Sequence, residues 1–312
     1  MRIVVFGAGG VGGYFGARLA AAGEEVGFIA RGAHLEALRA HGLRILSPLG
    51  DVTVTPAAVS ADPAALARTF GPPDLVLFSV KLYDVESAAQ AIVPLLGPET
   101  AVLALQNGVD AEGRIAARIG AERVVGGVAY ISSTIEAPGV IRHFNRAAKL
   151  SFGEMDGRTS PRLEAFAAAG TRAGFAAELV PDIERALWEK FVFLASFAGV
   201  SALLRRAIGP IMGDPDTKSF FSDALHEVAT LAQARGIALT PGLVPRQLAM
   251  AAAMEPDFTA SMARDLARGN RIEIEGLSGS VVRLGLQAKV ATPVHRAIYA
   301  SLKLHAGGVG AA

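Results

Sequence analysis

Near its N-terminus the chain reads Gly7-Ala8-Gly9-Gly10-Val11-Gly12, directly after the apolar and largely β-branched run Arg2-Ile3-Val4-Val5-Phe6. Such a run predicts a buried strand. The alanine-rich segment 14–22, which ends at Gly23, predicts a helix. A G-x-G-x-x-G pattern between a strand and a helix is typical of a dinucleotide-binding turn. We therefore expect a Rossmann-like βα unit here, against the alternative of a purely structural glycine-rich turn.

Each glycine of the pattern has a separate predicted role. Gly7 permits the tight turn, Gly9 lets the backbone approach a pyrophosphate, and Gly12 lets the helix pack close to the strand. The free N–H groups and the positive dipole end of the helix would then face the phosphates. The whole turn from Gly7 to Gly12, with Ala8, Gly10 and Val11, is the predicted cofactor-binding element.

The end of the second predicted strand, 25–30, indicates which dinucleotide is bound. An NAD site usually has Asp or Glu there, which accepts from the ribose 2′-hydroxyl. This chain has Ala30 followed by Arg31, and a guanidinium is suited to a 2′-phosphate. We therefore predict NADP(H) rather than NAD(H) as the cofactor. The alternative is that Arg31 is an ordinary solvated loop cation.

Composition limits the class of protein. The chain has 312 residues, 51% of them hydrophobic, a net charge of +1 and no cysteine. This predicts a two-domain cytoplasmic protein with no basic field for nucleic acid and no disulfide or zinc-thiolate site. The six histidines are scattered without metal-ligand spacing, so no metal site is predicted. The apolar run 191–204 is shorter than the ~20 residues that span a bilayer, so we predict a buried core helix and no membrane partner.

The pattern of predicted secondary structure changes near residue 180. Strand and helix signals alternate up to that point, which indicates an α/β fold with a Rossmann-like, doubly wound domain over 1–180. Beyond it the pattern is only helical, which predicts an all-helical substrate and catalytic domain over 181–312. The predicted helices there are 182–204, 215–235, 243–253, 261–286 and 293–305. A homodimer is expected only on general grounds.

Lys190 is a candidate for acid–base chemistry. A dinucleotide site makes hydride transfer the default reaction, and a carbonyl substrate then needs a proton donor beside its oxygen. Lys190 lies just after Trp188-Glu189, at the edge of the most apolar predicted helix. Desolvation there would lower its pKa toward a useful value. A lysine that extends from the helix end into water is the equal alternative.

Several motifs together resemble the ketopantoate reductase (2-dehydropantoate 2-reductase) family over essentially the whole chain. They are the Gly7–Gly12 fingerprint, Ala30-Arg31, Ser79-Val80-Lys81, Leu105-Gln106-Asn107-Gly108, Trp188-Glu189-Lys190, Ser261-Met262 and Asn270-Arg271-Ile272-Glu273-Ile274. The resemblance implies NADPH-dependent reduction of 2-dehydropantoate to pantoate, a step of pantothenate biosynthesis. It also implies that Lys81 belongs to the cofactor site.

The resemblance implies roles for four further residues. Lys190 would protonate the keto oxygen, and Asn107 would contact both cofactor and substrate. Glu273 would lie at the cleft between the domains and bind the cofactor or Lys190, and Ser261 would contact the substrate. Read from the residues alone, Asn107 follows a buried strand, where open α/β sheets bind ligands.

The residues alone also allow purely structural roles for these positions. Asn107-Gly108 is also typical of a plain turn, and Ser261 of a helix N-cap. Glu273 could be a solvated helix carboxylate paired with Arg271 or Lys289.

The chain departs from the family where the resemblance places substrate-binding amides. Leu194 and Ala198 stand one and two helical turns after Lys190, and Ile208 stands at a third such place. Ser201, on the same helix face, is the candidate to compensate in part. The predicted substrate site therefore comprises Asn107, Lys190, Leu194, Ala198, Ser201 and Ser261.

The predicted reaction is thus reduction of a 2-oxo acid, with 2-dehydropantoate as the first candidate substrate. The first alternative is a related NADP-dependent reductase or dehydrogenase that acts on a less polar 2-oxo or 3-hydroxy acid. The second alternative, from another class, is a dinucleotide sensor without turnover.

Overall fold

The computed structural model describes residues 1–309, and these form two compact units. The first unit comprises Met1–Gln106 and Ala111–Ile183. The second comprises Asn107–Asp110 and the described chain from Glu184 onward. The division therefore falls slightly beyond residue 180. It also assigns the short segment Asn107–Asp110 to the helical unit, which the change in predicted secondary structure did not indicate.

The first unit is an α/β unit with one mixed sheet. Its strands are β1 (Arg2–Phe6), β2 (Glu25–Ile29), β3 (Leu43–Leu46), β4 (Val52–Val54), β5 (Ala58–Ser60), β6 (Leu75–Phe78), β7 (Ala101–Ala104), β8 (Val124–Ala137), β9 (Val140–Glu154) and β10 (Ala176–Leu179). Its helices are α1 (Gly10–Ala21), α2 (Gly32–His41), α3 (Pro63–Phe70), α4 (Val85–Ala91), α5 (Ala111–Ile119) and α6 (Pro161–Arg172).

Strand order confirms the Rossmann-like class. The strands β5, β2, β1, β6, β7 and β8 lie side by side in that order and are parallel, which is the order of a dinucleotide-binding sheet. A long hairpin extends it, because β9 runs antiparallel to β8 and then pairs in parallel with β3 and β10. The sheet is therefore mixed rather than purely parallel. Strand β1, at its centre, is buried on both faces, as its apolar run predicts.

Some elements differ from the sequence-based boundaries. Helix α1 begins at Gly10, inside the glycine pattern rather than after it. Strands β3 and β5 and helix α3 were not predicted. The two strands have only four and three residues, too short for a clear periodicity. Helix α3 begins with an Asp62 cap, whose side chain accepts from the Ala64 N–H, followed by Pro63.

The second unit is helical, as predicted. Its helices are α7 (Ile183–Leu204, whose first residue belongs to the first unit), α8 (Ile208–Gly213), α9 (Pro215–Ala234), α10 (Leu243–Ala252), α11 (Ser261–Ala267), α12 (Ser278–Ala288) and α13 (Pro293–Leu302). The single helix predicted over 261–286 is wrong. Gly269 adopts a φ of 71° and the Asn270 N–H returns to the Asp265 carbonyl, which ends α11. The irregular segment 268–277 therefore separates α11 from α12.

Helix α7 is longer than its apolar run suggested. It has 22 residues, so the expectation that it is too short to span a bilayer is wrong. Among the described residues it is the one helix that could cross a membrane by length and composition. However, 67% of its most apolar window is buried inside the protein. This burial is the pattern of a core helix, which supports the original assignment on other grounds.

Candidate active site

The glycine turn of the first unit lies where β1 and β6 end side by side. Gly7 has a φ of 102°, and a Cβ there would lie 3.0 Å from the Ser79 carbonyl carbon and from the Val80 nitrogen. The Ser79 hydroxyl donates to the Gly7 carbonyl oxygen at 2.8 Å. Only glycine fits this turn without strain, and the turn is fastened to the end of β6.

The other two pattern glycines behave differently from each other. A Cβ on Gly12 would lie 2.1 Å from the Ser79 Oγ atom, so its absence allows α1 to pack close to the sheet. A Cβ on Gly9 would meet nothing within 4 Å. The backbone at Gly9 therefore faces open space at the start of α1, where a pyrophosphate can approach.

Gly10 has a role that the sequence did not reveal. A Cβ there would lie 2.6 Å from the carbonyl oxygen of Ser133, in β8. The hairpin strand thus crosses the start of α1 at close range. No local pattern could indicate this, because the contact depends on the path of a distant strand.

Two exposed cations follow the strands on either side of β1. Arg31 comes after β2, where it forms the N-terminal boundary of α2, and Lys81 comes after β6. Because β2 and β6 flank β1 in a parallel arrangement, their carboxyl ends lie at the edge of the sheet that carries the glycine turn. Both cations are therefore placed near the candidate dinucleotide turn.

The second unit places Lys190 beside Asn107. Lys190 lies on α7, and its Nζ atom donates to the Asn107 Oδ1 atom at 3.1 Å. Asn107 comes just after β7, in the segment Asn107–Asp110 that belongs to this unit. The ammonium is thus held by a side-chain amide, which decides against a lysine whose head simply extends into water.

The surroundings of Lys190 change its acidity. Burial lowers the pKa of its ammonium to about 8, and the charge of the Glu273 carboxylate opposes part of that shift. Glu273 is only 6% exposed and lies in the irregular segment after α11. The alternative of a solvated helix carboxylate is therefore wrong for Glu273. A lysine with a pKa near 8 is still mostly charged at neutral pH and can give up a proton readily.

A second polar group fastens the Asn107 segment to α12. The Ser280 hydroxyl donates to the Asp110 Oδ2 atom at 3.1 Å, and the Arg283 Nη2 atom donates to the Ser280 Oγ atom at 2.9 Å. Arg283 also lies 3.6 Å from the Asp110 carboxylate. Sequence reasoning missed these three residues. Only the helical spacing of Ser280 and Arg283 hinted at a shared face.

The predicted substrate residues on α7 have different surroundings. Leu194 is partly buried, whereas Ala198 is buried. Ser201 is 0% exposed, and its hydroxyl donates to the Arg206 carbonyl oxygen at 2.7 Å. The expectation that Ser201 replaces a lost amide is therefore not met, because its buried hydroxyl already donates to a backbone carbonyl just past the end of α7. Ile208, at the start of α8, is fully buried.

Ser261 is the first residue of α11, and the N-cap position is occupied by Ala260. The alternative of Ser261 as the N-cap is therefore wrong. Its side chain is partly exposed. In the part of the chain that the structure describes, no group of three or more His, Asp or Glu side chains is placed to hold a metal ion.

The glycine turn on a Rossmann sheet and the amide-bound lysine define a class of protein, the dinucleotide-binding oxidoreductases. Comparison with protein families gives the family. The model described as ketopantoate reductase PanE/ApbA matches residues 3–157, and the model of its C-terminal part matches residues 182–306. The chain therefore belongs to the ketopantoate reductase family. Membership in a family of oxidoreductases decides against a sensor without turnover.

Individual relatives agree with this assignment. The chain is 34% identical to a 2-dehydropantoate 2-reductase of Mesorhizobium japonicum, with 97% of each chain covered. It is 32% identical to a crystallised PanE/ApbA family ketopantoate reductase of Ralstonia eutropha JMP134, with 98% of each chain covered and a TM-score of 0.89. A D-mandelate dehydrogenase solved with NADH and anilino(oxo)acetate has a TM-score of 0.87, with 98% of each chain covered, but 21% identity. This last likeness concerns the fold alone.

Proposed function

We propose that the protein reduces a 2-oxo acid to the corresponding 2-hydroxy acid with NADPH. The observation that carries this proposal is the 3.1 Å hydrogen bond between Lys190 and Asn107, beside the buried Glu273. This bond supports an ammonium that is held in position, and burial lowers the pKa of that ammonium to about 8. Such a group is suited to protonate a carbonyl oxygen.

The residues present fit a phosphorylated dinucleotide. The open backbone at Gly9 and the start of α1 suit the pyrophosphate. Arg31 and Lys81 offer positive charge near the same turn, which favours the 2′-phosphate of NADP(H) over the 2′-hydroxyl of NAD(H). The nicotinamide, when bound, supplies the hydride that reduces the keto carbon.

The protein's own residues manage the proton. As negative charge develops on the keto oxygen, Lys190 gives that oxygen a proton from Nζ and is left as a neutral amine. The amine regains a proton from water before the next turnover. Asn107 accepts from Nζ and so orients it, while the Glu273 carboxylate favours the charged lysine.

The first candidate substrate is 2-dehydropantoate, because relatives about one-third identical to this chain carry that name. Its reduction to pantoate belongs to pantothenate biosynthesis. A second candidate is a less polar 2-oxo or 3-hydroxy acid. It is favoured because Leu194 and Ala198, which follow Lys190 along α7, offer no hydrogen bond.

A substrate screen tests the proposed function. Purified protein is mixed with NADPH and a panel of 2-oxo acids, and loss of NADPH absorbance is followed. We expect turnover with at least one acid, and loss of it in Lys190→Ala but not in Lys218→Ala, which removes an exposed lysine of α9. Absence of turnover with every acid would contradict the proposal.

A further inference from the structure

Four phenylalanines form a cluster in the second unit. Phe197 on α7 stacks on Phe258, with ring centroids 5.8 Å apart and planes inclined by 17°. Phe197 also contacts Phe193 at 5.7 Å and Phe221 at 6.2 Å, and Phe193 lies 6.0 Å from Phe221. We call these four residues, Phe193, Phe197, Phe221 and Phe258, the aromatic cluster.

The cluster continues the face of α7 that carries Lys190. Phe193 and Leu194 follow Lys190 by three and four residues, the spacings at which side chains on a helix are neighbours, and Phe197 follows Phe193 by four. Phe193 and Leu194 therefore occupy the helix positions next to Lys190, and the Phe193 ring also contacts Phe197 and Phe221. The lysine is therefore bordered by an apolar surface.

Burial divides the cluster into a support and a surface. Phe197 and Phe221 are buried, whereas Phe193, Phe258 and the neighbouring Leu194 keep part of their area exposed. Phe258 is held in place on two sides, since its ring stacks on Phe197 and its carbonyl oxygen accepts from the Ile208 N–H at 3.0 Å. The ring of Phe258 is thus fixed against Phe197, and the partly exposed side chains of Phe193, Leu194 and Phe258 are all apolar.

This surface offers nothing to a hydroxyl group. Leu194, Phe193 and Phe258 have no polar side-chain atom, and the nearby Ser201 hydroxyl already donates to the Arg206 carbonyl oxygen. A substrate hydroxyl placed here would lose its water without gaining a partner. An aromatic ring would instead bury its area and add ring–ring contacts.

We propose that the preferred substrate is a 2-oxo acid with an aromatic side chain, whose ring packs on Leu194, Phe193 and Phe258. This inference rests on the proposed 2-oxo acid reduction, which fixes where the keto group lies. Leu194 and Phe258 are then specificity-determining residues. They set which side chain is accepted, while Lys190 serves every 2-oxo acid alike.

Steady-state kinetics with NADPH test the proposal on three acids: phenylglyoxylate, 2-dehydropantoate, and 3-methyl-2-oxobutanoate, which lacks both the ring and the hydroxyl. We expect kcat/KM for phenylglyoxylate to exceed that for 2-dehydropantoate by at least about tenfold, or ~1.4 kcal/mol. Phe258→Asn and Leu194→Asn should each lower this ratio about tenfold. Leu286→Asn, which changes a leucine of α12 that is 77% exposed, should leave the ratio unchanged.

The outcomes distinguish a failure of the aromatic substrate from a failure of 2-oxo acid reduction. A wild type that prefers 2-dehydropantoate, or a ratio that neither Asn variant changes, overturns the aromatic substrate while 2-oxo acid reduction stands. A wild type that reduces 3-methyl-2-oxobutanoate as well as phenylglyoxylate also overturns it, because the ring would then contribute nothing. Absence of turnover with all three acids and with the wider panel overturns the proposed function itself. If Phe258→Asn does not fold, the partly exposed Leu194 carries the same test.

Discussion

The Nζ atom of Lys190 lies 3.1 Å from the Oδ1 atom of Asn107, a residue 83 positions earlier in the chain. An ammonium can donate three hydrogen bonds, so a bond to a fixed amide orients the other two N–H directions. The amide is fixed in turn, because Asn107 belongs to the segment that Asp110 fastens to α12. Proton donation by Lys190 should therefore depend on residues that do not contact the substrate.

The first prediction concerns the interactions of Asp110 with Ser280 and Arg283, which hold the Asn107–Asp110 segment against α12. Asp110→Ala removes the acceptor of the Ser280 hydroxyl and the partner of Arg283, so Asn107 should lose its fixed position. We expect kcat to fall about tenfold, ~1.4 kcal/mol in barrier height, with the dissociation constant of NADPH little changed. Asp110→Asn keeps an oxygen acceptor and should restore most of kcat.

A matched control is Asp216→Ala, which removes an exposed carboxylate from α9 in the same unit. Equal losses in Asp110→Ala and Asp110→Asn would show that the charge of Asp110, and not its hydrogen bond, matters. Unchanged kcat in Asp110→Ala would contradict the positioning role.

The second prediction concerns cofactor choice. Because Arg31 replaces the acidic residue of NAD sites, NADPH should bind at least about tenfold more tightly than NADH, ~1.4 kcal/mol or more. Arg31→Ala should remove most of this difference. Binding is measured by titration of nucleotide fluorescence, with Arg118→Ala, an exposed arginine of α5, as the control. Equal dissociation constants for the two nucleotides in the wild type would refute the assignment.

Much of the fold could be predicted from sequence because its signals are local. Each of three features can be recognised within a single segment: the buried run of β1, the glycine pattern and the long apolar helix α7. The elements that were missed are those whose local signal is weak. Strand β5 has three residues and lies at one end of the sheet order, so it has too few side chains to show alternation. The break after α11 depends on the conformation of Gly269, which a helical periodicity can overlook.

The site was only partly predictable. Lys190 stood out by its apolar setting, and the family motifs pointed to Asn107 and Glu273. The Asp110–Ser280 bond joins residues 170 positions apart, and no pattern in either segment indicates it. Ser201 failed as a substitute for an amide because its hydroxyl donates to the Arg206 carbonyl oxygen, a contact that depends on the path of the chain just past the end of α7. Stacking of Phe258 on Phe197 is likewise a product of tertiary packing.

The third prediction concerns pH. The proton donor is the charged form of Lys190, so reduction should be fastest below its pKa of about 8 and should decline as pH rises through that value. The Glu273 carboxylate raises this pKa, so Glu273→Gln should move the alkaline limb of kcat to lower pH. Glu184→Gln, which neutralises an exposed carboxylate on the same helix as Lys190, should leave the limb in place. A limb that moves to higher pH in Glu273→Gln would contradict the electrostatic role of Glu273.

The central claim is that Lys190 donates the proton to the substrate oxygen, and the turnover number of Lys190→Ala tests it most directly. A positioned general acid contributes roughly 10²–10⁴ in rate, so kcat should fall by that factor while the dissociation constant of NADPH stays nearly the same. Lys218→Ala should keep wild-type turnover. If Lys190→Ala retains more than about a tenth of the wild-type kcat, the loss is smaller than the smallest expected for a general acid. Lys190 is then structural, and the proton comes from another group.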